Sequence, residues 1–171
     1  MKIRTDFVTN SSSSSFILAF DTDKDYTEFK HQCDWLEYDS IKSIVSNRLH
    51  QKPQTEHKNN ARELLKRYYV RNKYGDDVIK EKFPSYPDVT TRELLSEIYN
   101  FEKTKEYADK IDEKLSKDED YQRDLKRIND AQLVCEGMIW DTNGGITEWA
   151  IRNGFLESEF WLNTILCWNI G

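Results

Sequence analysis

The stretch FILAF at residues 16–20 lies between a run of serines, residues 11–15, and Asp21. A short apolar run bounded by polar residues is typical of a buried β-strand, and this one is too short for a long helix. Residues 133–140 and 160–170 are also rich in apolar side chains and predict two further strands. The sequence therefore predicts a small antiparallel sheet made of one N-terminal strand and two C-terminal strands.

Helices are expected between these strands. Two short helices precede Pro53, and residues 55–73 form an amphipathic helix that we expect to end at a C-terminal cap on Gly75. These helices belong to a long central insertion at about residues 24–131. The predicted fold class is therefore α+β, with residues 1–171 forming a single domain.

Residues 91–131 have two interpretations. Their apolar positions recur at a spacing near 3.5 residues, which fits one long helix. Ser116 and Glu119 can form a capping box, which would instead divide the region into a helix pair. We favour the pair, with its break near Ser116.

Composition and charge limit the classes of function. The formal net charge of −6 and the pI near 5.2 argue against a surface built throughout for nucleic acid or an anionic membrane. Residues 1–10 lack the apolar core of a signal peptide, and no apolar run reaches the ~18 residues of a membrane span. We therefore expect a cytoplasmic protein that does not enter a membrane.

Residues capable of metal binding or nucleophilic catalysis show no recognisable spacing. The 3 cysteines include no CxxC pair, and the 3 histidines form no metalloenzyme pattern. Residues 21–25 begin like a calcium-binding loop, but Tyr26 replaces the glycine that such a loop needs at its sixth position. We expect no metal and no cofactor, and we assign no catalytic residue. A catalytic pair formed by distant residues remains open.

The strongest local signal is a basic stretch between Lys58 and Tyr74, in which tyrosines are interleaved. Its candidate binding residues are Lys58, Arg62, Lys66, Arg67 and Arg71. Cations at this spacing can contact successive phosphates while a tyrosine stacks on a base. The same pattern also fits a solvated helix face whose tyrosines belong to the core, and the net negative charge favours that second interpretation.

The C-terminal forty residues contain most of the tryptophans. Trp140, Trp149 and Trp161 are further candidates for partner binding, because large aromatic side chains are enriched at the centres of protein interfaces. Acidic residues cluster at 118–120, away from the basic stretch, and such segregation suits electrostatic steering onto a protein partner.

The N-terminal stretch FVTNSSSSSF, residues 7–16, resembles a short motif found at the start of many small proteins of Gram-positive bacteria and their phages. The resemblance covers roughly the first seventeen residues. It implies an accessory protein of a bacterium or phage, and inhibitors of host defence such as anti-CRISPR proteins are one class in this setting. It assigns no biochemical role to any residue.

Three functions follow from these observations. The leading hypothesis is a non-catalytic protein that binds a macromolecular partner, most readily another protein. The second is a nucleic-acid-binding module that uses residues 58–74. The third is an enzyme with a dispersed active site that uses Cys135, Cys167 or a histidine brought near by folding.

Overall fold

The computed structural model describes residues 13–35, 39–86, 92–140 and 164–170. Helices account for most of these residues, and a small antiparallel sheet completes the fold, an arrangement that agrees with the predicted α+β class. In chain order the elements are β1 Ser13–Phe20, α1 Asp23–Trp35, α2 Asp39–Gln51, α3 Gln54–Tyr69, a π-helical turn Val70–Tyr74, α4 Gly75–Lys82, α5 Arg92–Glu102, α6 Lys105–Lys117, α7 Glu119–Asp130, β2 Leu133–Trp140 and β3 Thr164–Ile170.

The described residues fall into two compact units. The first unit contains the residues up to Ala61 and those from Asp130 onward, and therefore holds the whole sheet. The second unit is Arg62–Asn129, and all of its described secondary-structure elements are helices. The organisation of residues 1–171 as a single domain stays a prediction.

Strand β1 lies at the centre of the sheet, which has the order β2-β1-β3. Both neighbours run antiparallel to it, with Phe20 opposite Leu133 in β2 and Ser13 opposite Ile170 in β3. Residues 15–20 of β1 are all buried, which explains why this strand is a continuous apolar run rather than an alternating one.

One face of β1 packs on α1 and α2. Phe16, Leu18 and Phe20 alternate along the strand and so point to the same face. They form a buried cluster whose other members are Phe29, Cys33, Ile41, Val45 and Cys135. The ring of Phe20 meets that of Phe29 edge to face with 5.3 Å between centroids. This cluster is the apolar core of the first unit.

Helix α1 begins with a capping box rather than a calcium loop. The Asp25 backbone N–H donates to the Thr22 hydroxyl at 3.2 Å, and the Thr22 backbone N–H donates to the Asp25 carboxylate at 2.8 Å. This reciprocal pair satisfies backbone donors at the start of the helix. The Asp25 carboxylate is therefore directed at the backbone of its own chain.

The expected C-terminal cap at Gly75 is wrong. Gly75 has right-handed helical backbone angles, φ −59° and ψ −50°, and the chain continues through it from the π-helical turn into α4. Its N–H donates to the carbonyl oxygen of Val70, and a Cβ at position 75 would lie 2.7 Å from that oxygen. Glycine is needed here for close approach of the backbone, not for a left-handed conformation.

Residues 92–130 form three helices rather than one or two. Thr104 caps α6, since its hydroxyl accepts from the backbone N–H of Tyr107 at 3.2 Å. Asp118 caps α7 by accepting from the backbone N–H of Tyr121 at 2.9 Å. The break expected near Ser116 therefore lies at Asp118, and the break before Thr104 was not predicted.

Candidate functional site

The basic residues predicted to bind a partner lie on α3 and in the π-helical turn. Lys58, Arg62, Lys66 and Arg67 belong to α3, and Arg71 belongs to the turn. Lys58, Arg62 and Lys66 share a helix face as predicted from their spacing, but all three are partly buried. Arg67 and Arg71 are exposed.

Several of these cations contact polar groups of the same helical unit. The Lys66 Nζ lies 2.5 Å from a carboxylate oxygen of Asp112 in α6, and the Arg62 Nε donates to the Asn129 side-chain oxygen at 2.8 Å. The Lys66 pKa is raised by the hydrogen bond to Asp112. These contacts hold α3 against α6 and α7, and they reduce the charge that the helix face presents to a phosphate backbone.

The second unit is electrically balanced as a whole. Residues 62–129 contain 16 Lys and Arg and 16 Asp and Glu, so the formal charge of −6 belongs to the remainder of the chain. Ion pairs join the opposite signs: Lys110 lies 3.7 Å from Glu81 and 3.9 Å from Glu106. Exposed pairs of this kind contribute little stability individually, but they leave a surface of mixed sign.

The Asp118 carboxylate accepts three hydrogen bonds from described residues of this unit. Besides capping α7, its carboxylate accepts from the Lys73 Nζ at 2.6 Å and from the Tyr74 hydroxyl. Burial by itself raises the pKa of this carboxyl, but the three hydrogen bonds outweigh burial and lower the pKa to about 2. Asp118 is therefore an ionised structural anchor for the π-helical turn.

A second buried contact lies beside it. The Tyr69 hydroxyl donates to Asp124 Oδ2 at 3.2 Å, and the rings of Tyr69 and Tyr121 meet edge to face at 5.2 Å. Burial and the neighbouring Asp124 charge raise the pKa of Tyr69 far above its ordinary value. This phenol keeps its proton at neutral pH and acts as a hydrogen-bond donor within the core.

His57, in the first unit, is buried between two acceptors. Its Nε2 lies 3.1 Å from the backbone oxygen of Arg48, and its Nδ1 lies 3.3 Å from Glu136 Oε1. The carbonyl can only accept, so Nε2 carries a hydrogen; the other contact then needs one further proton, on His57 or on Glu136. Asn60 also donates to the same carboxylate oxygen at 3.0 Å.

This buried pair was not found from the sequence, because its partners are 79 residues apart along the chain. Both ring nitrogens of His57 are occupied by protein groups, which leaves neither directed at a substrate. The arrangement joins the start of α3 to β2 and to the end of α2. We interpret it as a structural contact that holds these three elements together.

The cysteine thiols that the structure describes are poorly suited to nucleophilic catalysis. Cys33 and Cys135 are both buried. Burial raises the pKa of the Cys135 thiol to about 12, so almost none of it is thiolate at neutral pH. Within the described ranges, no group of three or more His, Cys, Asp or Glu side chains could hold a metal ion.

The most exposed apolar surface lies on α5, where sequence reasoning placed no site. Leu95 and Tyr99 are 53% and 57% exposed, and they are the large hydrophobic residues of the described chain that remain open to solvent. They are four residues apart and share one helix face, while Ile98 and Phe101 are buried on the adjoining side of the helix. The sequence contained an indication of this exposed surface, because Leu95 and Tyr99 fall outside the apolar stripe that predicts the buried side of the helix.

Cations stand at both ends of this exposed pair. Lys103, just beyond α5, places its Nζ 3.7 Å from the centroid of the Tyr99 ring and donates to the Tyr99 hydroxyl. Arg92 begins the helix three residues before Leu95 and is exposed. We call Arg92, Leu95, Tyr99 and Lys103 the α5 stripe.

Three tryptophans are predicted to bind a partner. Trp140 is the last residue of β2, and Trp149 and Trp161 lie outside the described residues. Their role in binding stays a prediction.

None of the helices that the structure describes is long and apolar enough to cross a membrane. No protein-family model, no curated protein and no solved structure matches the chain.

Proposed function

We propose that this chain is a non-catalytic protein that binds another protein through the exposed face of α5. The observation that carries the proposal is the exposure of Leu95 and Tyr99 on one face of a helix that is well packed on its other side. Tyrosine is enriched among the residues that dominate binding energy, and an exposed aromatic-aliphatic pair gains most when a partner covers it.

The chemistry of the described polar groups supports binding rather than catalysis. Asp118 and Asp124 are engaged in capping and in hydrogen bonds to tyrosines, and His57 is held between two acceptors. Cys135 is buried and protonated. Each of these four groups therefore has a structural partner or is shielded from solvent.

The nucleic-acid alternative rests on Arg67 and Arg71, which are exposed on consecutive turns. Two cations in an electrically balanced unit provide a much smaller attraction than the six or more phosphate contacts typical of such proteins. We therefore rank this function second. Fluorescence anisotropy with labelled DNA and RNA at low salt tests it, because Arg67→Glu/Arg71→Glu should abolish any binding that uses this surface.

The biological setting is part of the proposal. The FVTNSSSSSF motif at residues 7–16 resembles the start of small proteins of Gram-positive bacteria and their phages, so we propose a bacterial protein as the partner. A component of a host defence system is one such partner. Expression of the chain in a bacterium that carries a defined defence system, followed by phage plating, measures whether that defence is inhibited.

Site-specific photo-crosslinking tests the binding surface directly. A photoreactive amino acid at Ser96, beside the α5 stripe, should capture a discrete partner in a bacterial lysate, and the purified partner should then bind the purified chain. The same amino acid at Glu93 lies on another face of α5 and serves as the positional control.

Matched variants decide whether the α5 stripe is responsible for binding the partner. Leu95→Ser/Tyr99→Ser should abolish binding of the purified partner, whereas Glu93→Ser/Glu97→Ser changes the same helix at the same spacing and should retain it. Circular dichroism spectra of both variants should match that of the wild type, since all four positions are exposed. Equal binding by the two variants would exclude α5 as the surface.

A further inference from the structure

We infer that the α5 stripe accepts an acidic amphipathic segment of its partner, in which large apolar side chains lie between carboxylates. The inference rests on the proposed function and specifies the chemistry of the partner. It depends on the position of two cations relative to the exposed apolar pair.

The two cations lie in line with the exposed apolar pair. Arg92, Leu95 and Tyr99 are separated by three and four residues, so they follow one face of α5, and Lys103, just beyond the helix, extends this line because its Nζ lies over the Tyr99 ring. At 1.5 Å per residue, Arg92 and Lys103 are about 16 Å apart along the helix axis. The apolar pair lies between them.

Both ends of the α5 stripe carry a positive charge. Neither Arg92 nor Lys103 forms an ion pair with another residue of the described chain. Lys103 is held over the Tyr99 ring by a cation–π contact and by its hydrogen bond to the Tyr99 hydroxyl, which fixes its charge beside the apolar surface. Glu102 lies at one edge of the stripe, and the neutral Ser96 and Asn100 lie at the other.

The charges of the α5 stripe disfavour a second copy of this chain as its occupant. Two α5 helices packed face to face in antiparallel orientation would bring Arg92 of one copy close to Lys103 of the other, at both ends of the contact. In parallel orientation each cation would meet its own equivalent. Like charges placed opposite each other are unfavourable, so the stripe fits carboxylates better than it fits itself.

A helical segment of the partner fits the shape of the α5 stripe. A helix that lies along α5 can place two apolar side chains, four residues apart, against Leu95 and Tyr99. Carboxylates about 16 Å apart along the same helix would then meet Arg92 and Lys103. The charges set orientation and rate of association, and the apolar contact supplies most of the affinity.

A pair of designed helical peptides tests the inference. Each peptide has two leucines four residues apart; one carries glutamates at the flanking positions, and the other carries lysines there. Titration of the ¹⁵N-labelled full chain should move the amide signals of α5, with the glutamate peptide binding about tenfold more tightly at low ionic strength. The difference should shrink as salt is added.

A charge-reversed variant of the chain provides the decisive comparison in this titration. Arg92→Glu/Lys103→Glu should reverse the preference so that the lysine peptide binds more tightly. Lys24→Glu/Lys80→Glu makes the same change in net charge at exposed positions on α1 and α4, and it should keep the original preference. A reversal seen with both variants would show only a response to overall charge and would overturn the inference.

Failure of the inference differs from failure of the proposed function. If both peptides bind equally and Leu95→Ser/Tyr99→Ser abolishes both, α5 is a binding surface but acidic flanks are not recognised. If neither peptide moves the α5 signals, the proposed surface itself is wrong. Concentration-dependent shifts of the α5 signals without peptide would identify a second copy as the occupant and would also overturn the inference.

Discussion

The Asp118 carboxylate accepts a hydrogen bond from Lys73 across 45 residues of sequence, with 2.6 Å between Oδ2 and Nζ. This contact joins the π-helical turn to the N-terminus of α7. The side chain of Asp118 is only 2% exposed, whereas that of Lys73 is 49% exposed. The buried carboxylate therefore depends on the hydrogen bonds of Lys73, Tyr74 and the Tyr121 backbone for its charge to be tolerated.

Stability should depend on the ionisation of Asp118. Its pKa falls from 3.8 to about 2 on folding, so its contribution is fully present above pH 4 and is lost as the pH falls toward 2. Asp118→Asn keeps an N-cap oxygen but removes the charge, and it should lower the free energy of unfolding by about 2 kcal/mol at pH 7. Urea denaturation at several pH values measures both effects.

The control for this prediction is Asp112→Asn. Asp112 pairs with Lys66, but its side chain is 59% exposed, so its loss should cost less than about 1 kcal/mol. The difference between Asp118→Asn and the wild type should also vanish near pH 2. A difference that stays constant from pH 7 to pH 2 would contradict the assigned role.

Gly75→Ala should destabilise the protein, although alanine normally favours a helix over glycine. The added Cβ would lie 2.7 Å from the Val70 carbonyl oxygen, so the backbone of the π-helical turn must shift. We expect a loss of about 1–3 kcal/mol, as for other overpacked positions. Thermal and urea unfolding measure it, with Lys80→Ala on the exposed face of α4 as a nearly neutral control. An increase in stability would show that the π-helical turn accommodates the added Cβ without strain.

His57→Leu should cost about 3 kcal/mol, because the Arg48 carbonyl loses its contact with the imidazole and the Glu136 carboxylate keeps only the hydrogen bond from Asn60 among the two contacts described above. His50→Leu, at an exposed position on α2, should change stability by less than about 0.5 kcal/mol. His57→Leu/Glu136→Leu should lose less than the sum of its single variants, since the pair is removed together. If the losses in free energy of unfolding, measured by urea denaturation, are strictly additive, the structural contact between His57 and Glu136 is contradicted.

Cys135 should resist thiol reagents in the native state. With a pKa of about 12, only about one thiol in ten thousand is ionised at pH 8, and burial blocks access. Labelling followed by mass spectrometry should show Cys135 and Cys33 modified quickly in denaturant and very slowly without it. Rapid native labelling of Cys135 would revive the hypothesis of a cysteine nucleophile.

Local features of the fold were largely predictable from the sequence. The FILAF run indicates β1, and the spacing of apolar residues indicates α1 to α3, because these signals depend on neighbours within a few residues. Gly75 was misread because glycine near the end of an amphipathic pattern most often caps a helix. The break before Thr104 was missed because the apolar spacing continues across it.

Contacts between distant residues could not be predicted. Lys66 and Asp112 are 46 residues apart, and His57 and Glu136 are 79 residues apart. Composition showed that opposite charges were present, but not which of them meet. The exposed α5 pair could have been suspected, since Leu95 and Tyr99 are apolar residues outside the buried stripe, yet only packing shows that nothing in the described chain covers them.

The central position of β1 has a consequence for synthesis on the ribosome. Both strands that pair with β1 are translated more than a hundred residues later, so its hydrogen-bonding edges stay open while the intervening helices emerge. Residues 62–129 are contiguous and can collapse locally first, whereas closing the sheet requires a long loop. The nascent chain therefore carries an unpaired apolar strand for most of its elongation, which makes it a natural client for ribosome-associated chaperones.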